Sequence, residues 1–171
     1  YQRSLYSSLQ SLVRQAYQGL NKMHKKLSPA NMEMAKEVID MKADILEVLK
    51  RIYDHKIDAI KIRTHGDYHL GQVLFTGKDF VIIDFEGEPA RTYSERRLKR
   101  SPVRDLAGLI RSLHYVAYNG LHSLERIREE DAEKLFDWAE FWYHYMSSFF
   151  MQSYMENIDG KYIPSSKEDL N

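Results

Sequence analysis

The sequence has no cysteine. A disulfide framework and a Cys-based zinc site are thereby excluded, and the composition fits a cytoplasmic protein. It has no excess charge of either sign: Lys+Arg and Asp+Glu both number 25, for a formal net charge of zero. A nucleic-acid-binding module usually carries a basic excess, so no nucleic-acid partner is expected. No run approaches the ~18–20 uninterrupted apolar residues of a membrane-spanning helix, so no membrane partner is expected either. The N-terminus lacks the basic-then-apolar layout of a signal peptide. It also lacks an initiator Met. The chain opens at Tyr1, already inside a helical pattern, and reads as an excised piece of a longer protein. What is present suffices for a core: hydrophobic residues make up 43% of 171, a length that suits one domain.

Leu5, Leu9, Leu12, Val13, Ala16, Leu20 and Met23 fall at helical spacing and predict an amphipathic helix over 2–25. Ser28-Pro29 ends it, because the residue before Pro avoids helical angles. A second helix is expected from about 31 to 55, with Ile45, Leu49, Ile52 and Tyr53 on one face. Ile60 and Ile62 alternate with Lys61 and Arg63, which predicts a short strand. Residues 64–72 read as a loop. Val73–Phe75 and Phe80–Ile83 flank Thr76-Gly77-Lys78-Asp79 and predict a tight hairpin. Residues 86–102 read as a long polar loop, and the chain is helical again from about 103, with Gly120 dividing one helix from the next. The tail after Gly160 has no apolar periodicity and reads as loose.

The β island carries unusual residues: Arg63-Thr64-His65-Gly66-Asp67-Tyr68-His69-Leu70-Gly71-Gln72, then Asp84 in Ile82-Ile83-Asp84-Phe85-Glu86-Gly87-Glu88-Pro89. Phosphoryl transfer needs a carboxylate to orient the attacking hydroxyl and receive its proton. Mg²⁺ needs hard oxygen ligands from carboxylates and amides. A loop followed by a hairpin supplies both. Asp67 is on the loop, Gln72 enters the first strand, and Asp84 follows the second, where the chain turns back beside the first.

His65-Gly66-Asp67 with Gln72 resembles the kinase catalytic-loop pattern, with Gln in place of Asn, and Asp84-Phe85 resembles the start of the Asp-Phe-Gly element. The His-Gly-Asp form is that of aminoglycoside and choline kinase relatives. The wider text through Ile83–Pro89 and Ser101-Pro102-Val103-Arg104-Asp105-Leu106-Ala107-Gly108 is similar to the maltokinases, densely from 63 to 118. The resemblance implies an α+β, mostly α fold over 1–171: the C-terminal lobe of the protein-kinase-like, aminoglycoside-phosphotransferase type, with its catalytic loop and metal-binding hairpin at 63–89. It implies Asp67 as the catalytic aspartate and Gln72 and Asp84 as metal positions. The parent would transfer the γ-phosphate of ATP, with Mg²⁺, to the anomeric hydroxyl of maltose. Partners so implied are the missing N-lobe and a trehalose synthase domain. Self-association of the lobe through uncovered apolar surface is also expected, and the isolated chain is expected to be inactive. Glu86 departs from the Gly of the general Asp-Phe-Gly element. No Gly-rich loop and no strand-borne Lys precede His65.

Other readings stand beside these. The acceptor could instead be an aminoglycoside, choline or another sugar, or the lobe could be a non-catalytic docking piece. His65, Asp67 and His69 also spell a metallohydrolase cluster, and the same loop residues could be hairpin and turn chemistry. His65 is read as packing under the loop and His69 as touching substrate or lying on the loop surface. Glu86 and Glu88 are read as holding substrate hydroxyls or a loop Arg, or as a solvated acidic turn. Arg91, Arg96, Arg97, Lys99, Arg100 and Arg104 read as a solvated basic face or as steering for ATP phosphates. Asp105 reads as a helix-start acid, a brace for the catalytic loop, or both. Trp138, Phe141, Trp142, Tyr145, Met146 and Phe149 have the spacing of a core-facing helix and are expected in the core; a sugar-stacking platform is the alternative.

Overall fold

The structure, a computed structural model, describes residues 1–54, 56, 60–122 and 129–164. The chain divides into two compact units, Tyr1–Ile57 and Asp58–Asn171. In the first, helix α1 runs Gln2–Met23, and a 3-10 turn at His24–Lys26 closes it. Ser28 then caps helix α2, Pro29–Asp40: its hydroxyl accepts from the Asn31 amide at 3.4 Å, and Pro29 occupies the first turn, where its missing N–H costs nothing. The expected single helix over 31–55 is two helices, because Met41 has ψ 0° and breaks the register before helix α3, Lys42–Lys50. A change of ψ at one residue leaves the helical spacing on either side intact, so periodicity does not reveal it. A 3-10 turn at Arg51–Tyr53 follows. Tyr17 of α1 is buried and donates its hydroxyl to the Val38 carbonyl at 2.6 Å. Gln2 reaches the Ile52 carbonyl at 2.7 Å, and Tyr6 meets Tyr53 edge-on at 4.7 Å.

The second unit begins with the β island. The expected strand at Ile60 and Ile62 is a single antiparallel bridge: Ile62 and Arg100 exchange both backbone bonds, at 2.9 and 2.8 Å. Strands β1, Val73–Phe75, and β2, Phe80–Ile82, form the predicted hairpin, with Leu74 opposite Val81. Its turn closes through Thr76, whose amide donates to the Asp79 carbonyl at 2.8 Å, and Gly77 takes φ +92°. The loop expected at 86–102 contains a helical turn, α4, Tyr93–Arg96, started by a reciprocal capping box between Thr92 and Glu95.

Helix α5, Val103–His122, runs through Gly120, which therefore does not divide two helices. Helix α6, Glu129–Asn157, packs against it. Leu106, Leu109 and Leu113 from α5 and Ala139 and Ser147 from α6 are buried, and His114 meets Tyr143 edge-on at 5.0 Å. The α6 stripe is not core as a whole: Met146 is half-buried and Trp142 is 39% exposed, but the other four lie outside. Trp138, Phe141, Tyr145 and Phe149 are 66%, 60%, 61% and 64% exposed, because α5 takes the neighbouring face that carries Ala139, Tyr143 and Ser147. The tail opens with an Asp159-capped 3-10 turn, Gly160–Tyr162, and a buried Pro164; Ser165 and Ser166 lie outside the described residues. Among the described residues no helix is long and apolar enough to cross a membrane.

Candidate functional site

The loop 63–72 is held from below by helix α5. Asp105, in its first turn, accepts from the His65 amide with one carboxylate oxygen at 2.6 Å and from the Gly66 amide with the other at 2.9 Å. Arg104 donates to the Gly66 carbonyl at 3.1 Å, and the Ser112 hydroxyl accepts from the Leu70 amide at 3.0 Å. Gly108 lies against the loop so closely that a Cβ there would fall 2.7 Å from the Tyr68 carbonyl oxygen. Burial, and then the Asp105 carboxylate, push the Tyr68 and Tyr154 hydroxyls above their ordinary pKa of 10.0.

His65 is buried under the loop. Its Nε2 bonds the Ile83 carbonyl at 2.7 Å, and its Nδ1 faces the Asp67 amide at 3.4 Å. A carbonyl only accepts and an amide N–H only donates, so the proton sits on Nε2. The ring lies between Tyr68 and Phe85, with centroids at 5.5 and 4.9 Å. Both ring nitrogens thus face backbone partners, Nε2 closely and Nδ1 at the longer distance. Among the described residues no three His, Cys, Asp or Glu side chains form a metal-holding group.

Asp67 and His69 face each other on the loop, Nε2 to Oδ2, at 3.9 Å. His69 also caps the 3-10 turn Leu70–Gln72 by accepting from the Gly71 amide at 3.1 Å. A Cβ at Gly71 would fall 2.8 Å from that ring, so Gly at 71 lets the imidazole fold over its own turn.

The hairpin brings the other two residues together. The Ile83 amide extends the ladder to the Gln72 carbonyl at 3.0 Å. Asp84 then takes φ +62°, a left-handed conformation that costs roughly 1–2 kcal/mol for an L-residue and is tolerated best by Asn and Asp. With the chain so turned, the Gln72 side-chain amide donates to Asp84 Oδ2 at 3.0 Å. Asp84 is exposed and Gln72 half-buried. A carboxylate and an amide that can present its oxygen by rotation are a hard-oxygen set of the kind Mg²⁺ takes with phosphate and water ligands.

Beyond Asp84 the chain is folded on itself. Gly66 and Gly87, at φ +87° and +81°, abut: a Cβ on Gly66 would stand 3.3 Å from the Gly87 Cα. Glu86 is exposed, whereas Glu88 accepts from the Ala90 amide at 3.4 Å within its own turn. Arg96 bonds the Arg91 and Pro89 carbonyls at 2.9 and 2.8 Å. The basic run is therefore not one face: Arg96 and Arg104 hold backbone carbonyls in two different places. Sequence reasoning missed Gly108, Ser112 and Arg96 as residues that shape the site. The capping-box spacing of Thr92 and Glu95 was a readable signal for the turn that carries Arg96. Gly108 and Ser112 gave none.

No protein-family profile matches the chain. A stretch of 54 residues is 46% identical to the glucosamine kinase of Mycolicibacterium smegmatis, covering 31% of this chain and 13% of that relative. A stretch of 55 residues is 33% identical to the glucosamine kinase of Streptacidiphilus jiangxiensis, covering 32% and 13%. Among solved structures, a glucosamine kinase in complex with glucosamine, ADP and inorganic phosphate superposes with a TM-score of 0.59 at 16% identity, over 92% of this chain and 38% of that one. A second glucosamine kinase crystal form gives 0.56 at 19%, over 81% and 32%. The matched stretches are thus a small part of the curated relatives, and the chain spans about a third of the solved ones. What these likenesses establish is the fold: a mostly helical chain with a two-stranded antiparallel sheet, matching a C-lobe-like piece of the glucosamine kinase structures.

Proposed function

We propose that this chain is the catalytic lobe of an ATP- and Mg²⁺-dependent sugar kinase, completed by a nucleotide-covering lobe outside these 171 residues. The observation that carries the reading is the meeting of Gln72 and Asp84 at 3.0 Å beside the loop that bears Asp67. Asp67 orients the acceptor hydroxyl and takes its proton as the oxygen attacks the γ-phosphorus of ATP. The bond from that phosphorus to the bridging oxygen of ADP breaks, and a sugar phosphate and ADP result. Asp84 and Gln72 would hold Mg²⁺, which supplies charge neutralisation at the phosphates. Asp105 and His65 keep the loop in place from below. His69, facing Asp67, steadies the carboxylate and reaches toward the acceptor.

Two acceptors have support. Glucosamine is named for the relatives and carries an ammonium group that the carboxylates of Glu86 and Glu88 suit. Maltose is the second reading, from the resemblance of Ile83–Pro89 to the maltokinase text. The test is an ATP-dependent phosphorylation panel on the complete protein with glucosamine, maltose, an aminoglycoside and choline. Turnover is expected on a sugar and to depend on Mg²⁺. Turnover on choline alone, or on nothing, sinks the reading.

A further inference from the structure

The outward face of α6 has a symmetry that the folded unit does not use. Its exposed residues Lys134, Trp138, Phe141, Tyr145, Phe149, Gln152 and Glu156 are spaced 4, 3, 4, 4, 3 and 4 apart, the same read from either end. On a helix of 3.6 residues per turn all seven lie within about 40° of Tyr145 around the axis. The aromatic rings are stacked along the stripe: Trp138 meets Phe141 edge-on at 5.9 Å, and Phe141 lies near-parallel to Tyr145 at 6.3 Å. An open hollow of about 360 Å³ lined by Lys134, Asp137, Trp138 and Phe141 marks one end.

We infer that this face is an interface between two copies of the chain, with α6 pairing antiparallel to α6 of the second copy about a two-fold axis at Tyr145. In that arrangement Phe141 meets Phe149 of the second copy, and Trp138 meets Gln152. Lys134 meets Glu156, so opposite charges face each other at both ends. A two-fold interface is self-complementary by construction, and a palindromic stripe with Lys at one end and Glu at the other satisfies it. A parallel pairing would place Lys on Lys and Glu on Glu. Four aromatics per copy, each about two-thirds exposed and worth roughly 150–250 Å² when wholly covered, bring the buried area to the order of 1,000 Å², at the threshold of a specific interface.

Sedimentation velocity over a dilution series of the 171-residue chain tests this. A monomer–dimer equilibrium is expected. Tyr145→Glu places two carboxylates at the axis and should give monomer, with helicity unchanged by circular dichroism. Lys134→Glu and Glu156→Lys should each raise the dissociation constant roughly three- to tenfold, and the double variant should restore it. Because the chain has no cysteine, Tyr145→Cys introduces a lone thiol at the axis and should yield a disulfide-linked dimer on mild oxidation, whereas Glu47→Cys should not. A chain that stays monomeric at every concentration overturns the inference and assigns the face to another segment or partner. A dimer that the charge swaps and Tyr145→Glu leave untouched overturns it as well.

Discussion

The loop and hairpin at 65–84 and the outer face of α6 are both exposed in part, and both are rich in conspicuous side chains. They differ in how they are held. In the loop, His65, Gly66 and Leu70 each bond residues about forty positions away on α5, and His65 bonds the far side of the hairpin. On the outer face of α6 the described polar contacts are local, such as Gln152 to Glu156 at 2.8 Å and His144 to Glu140 at 3.7 Å. The loop is therefore over-determined and tolerates a strained Asp84, whereas the α6 face constrains nothing in its own unit. Fixed, tertiary-held polar groups are what chemistry needs, and an ordered apolar face with only local contacts is what association needs.

The largest expected effect comes from breaking the loop's chemistry while keeping its shape. In the completed protein, Asp67→Asn should cost ~10²–10⁴-fold in turnover with nucleotide affinity nearly intact. Asp84→Ala should instead weaken Mg²⁺-dependent ATP binding, measured by titration with and without the metal. Equal nucleotide affinities for the two variants would remove Asp84 from the metal position. Trp138→Ala, on the other face, should leave turnover unchanged.

Next in size is the fit of α5 under the loop. Gly108→Ala must displace the Tyr68 carbonyl, which is backbone and cannot swing away, and should destabilise the chain by about 1–3 kcal/mol in urea unfolding. Asp105→Asn leaves one oxygen for two amides, at a cost of about 1–3 kcal/mol for the unpaired N–H. It should also move the Tyr68 and Tyr154 titrations back toward 10.0 without restoring them fully, because burial, the larger cause, remains. The sign of the pH dependence follows. A hydroxyl whose pKa is raised on folding contributes stability that is fully present below pH 10.0 and lost as pH rises through the folded value. Alkaline unfolding monitored at the tyrosinate band should therefore begin earlier for Tyr68→Phe than for the Asp105→Asn chain only if this assignment is wrong.

The smallest effect sharpens the contrast from the other side. Gly120 lies inside α5 with open space around its Cβ position, so Gly120→Ala should stabilise the chain by about 0.5–1 kcal/mol. The same substitution in the same helix thus changes sign between Gly108 and Gly120, and thermal melts of the two variants check it. Loss of stability in both would mean that Gly120 marks a break in the helix after all.

By itself the sequence determined the first helix to within two residues of its end, the hairpin around Gly77 and the start of α5, because local spacing encodes helix faces and turns. It also singled out Asp67, Gln72 and Asp84, whose roles are those proposed for them. It did not reveal the break at Met41, which depends on one dihedral, or the bridge from Ile62 to Arg100, which depends on a distant backbone partner, whereas the turn that carries Arg96 was legible in the local Thr92–Glu95 capping box and went unread. Only the tertiary structure decided that Asp105 bonds two loop amides, that Gly108 admits the Tyr68 carbonyl, and that α5 covers the Ala139 and Ser147 side of α6 and leaves the aromatic stripe outside. Periodicity states that a helix has an apolar face; which neighbour lies against it depends on how the rest of the chain is routed.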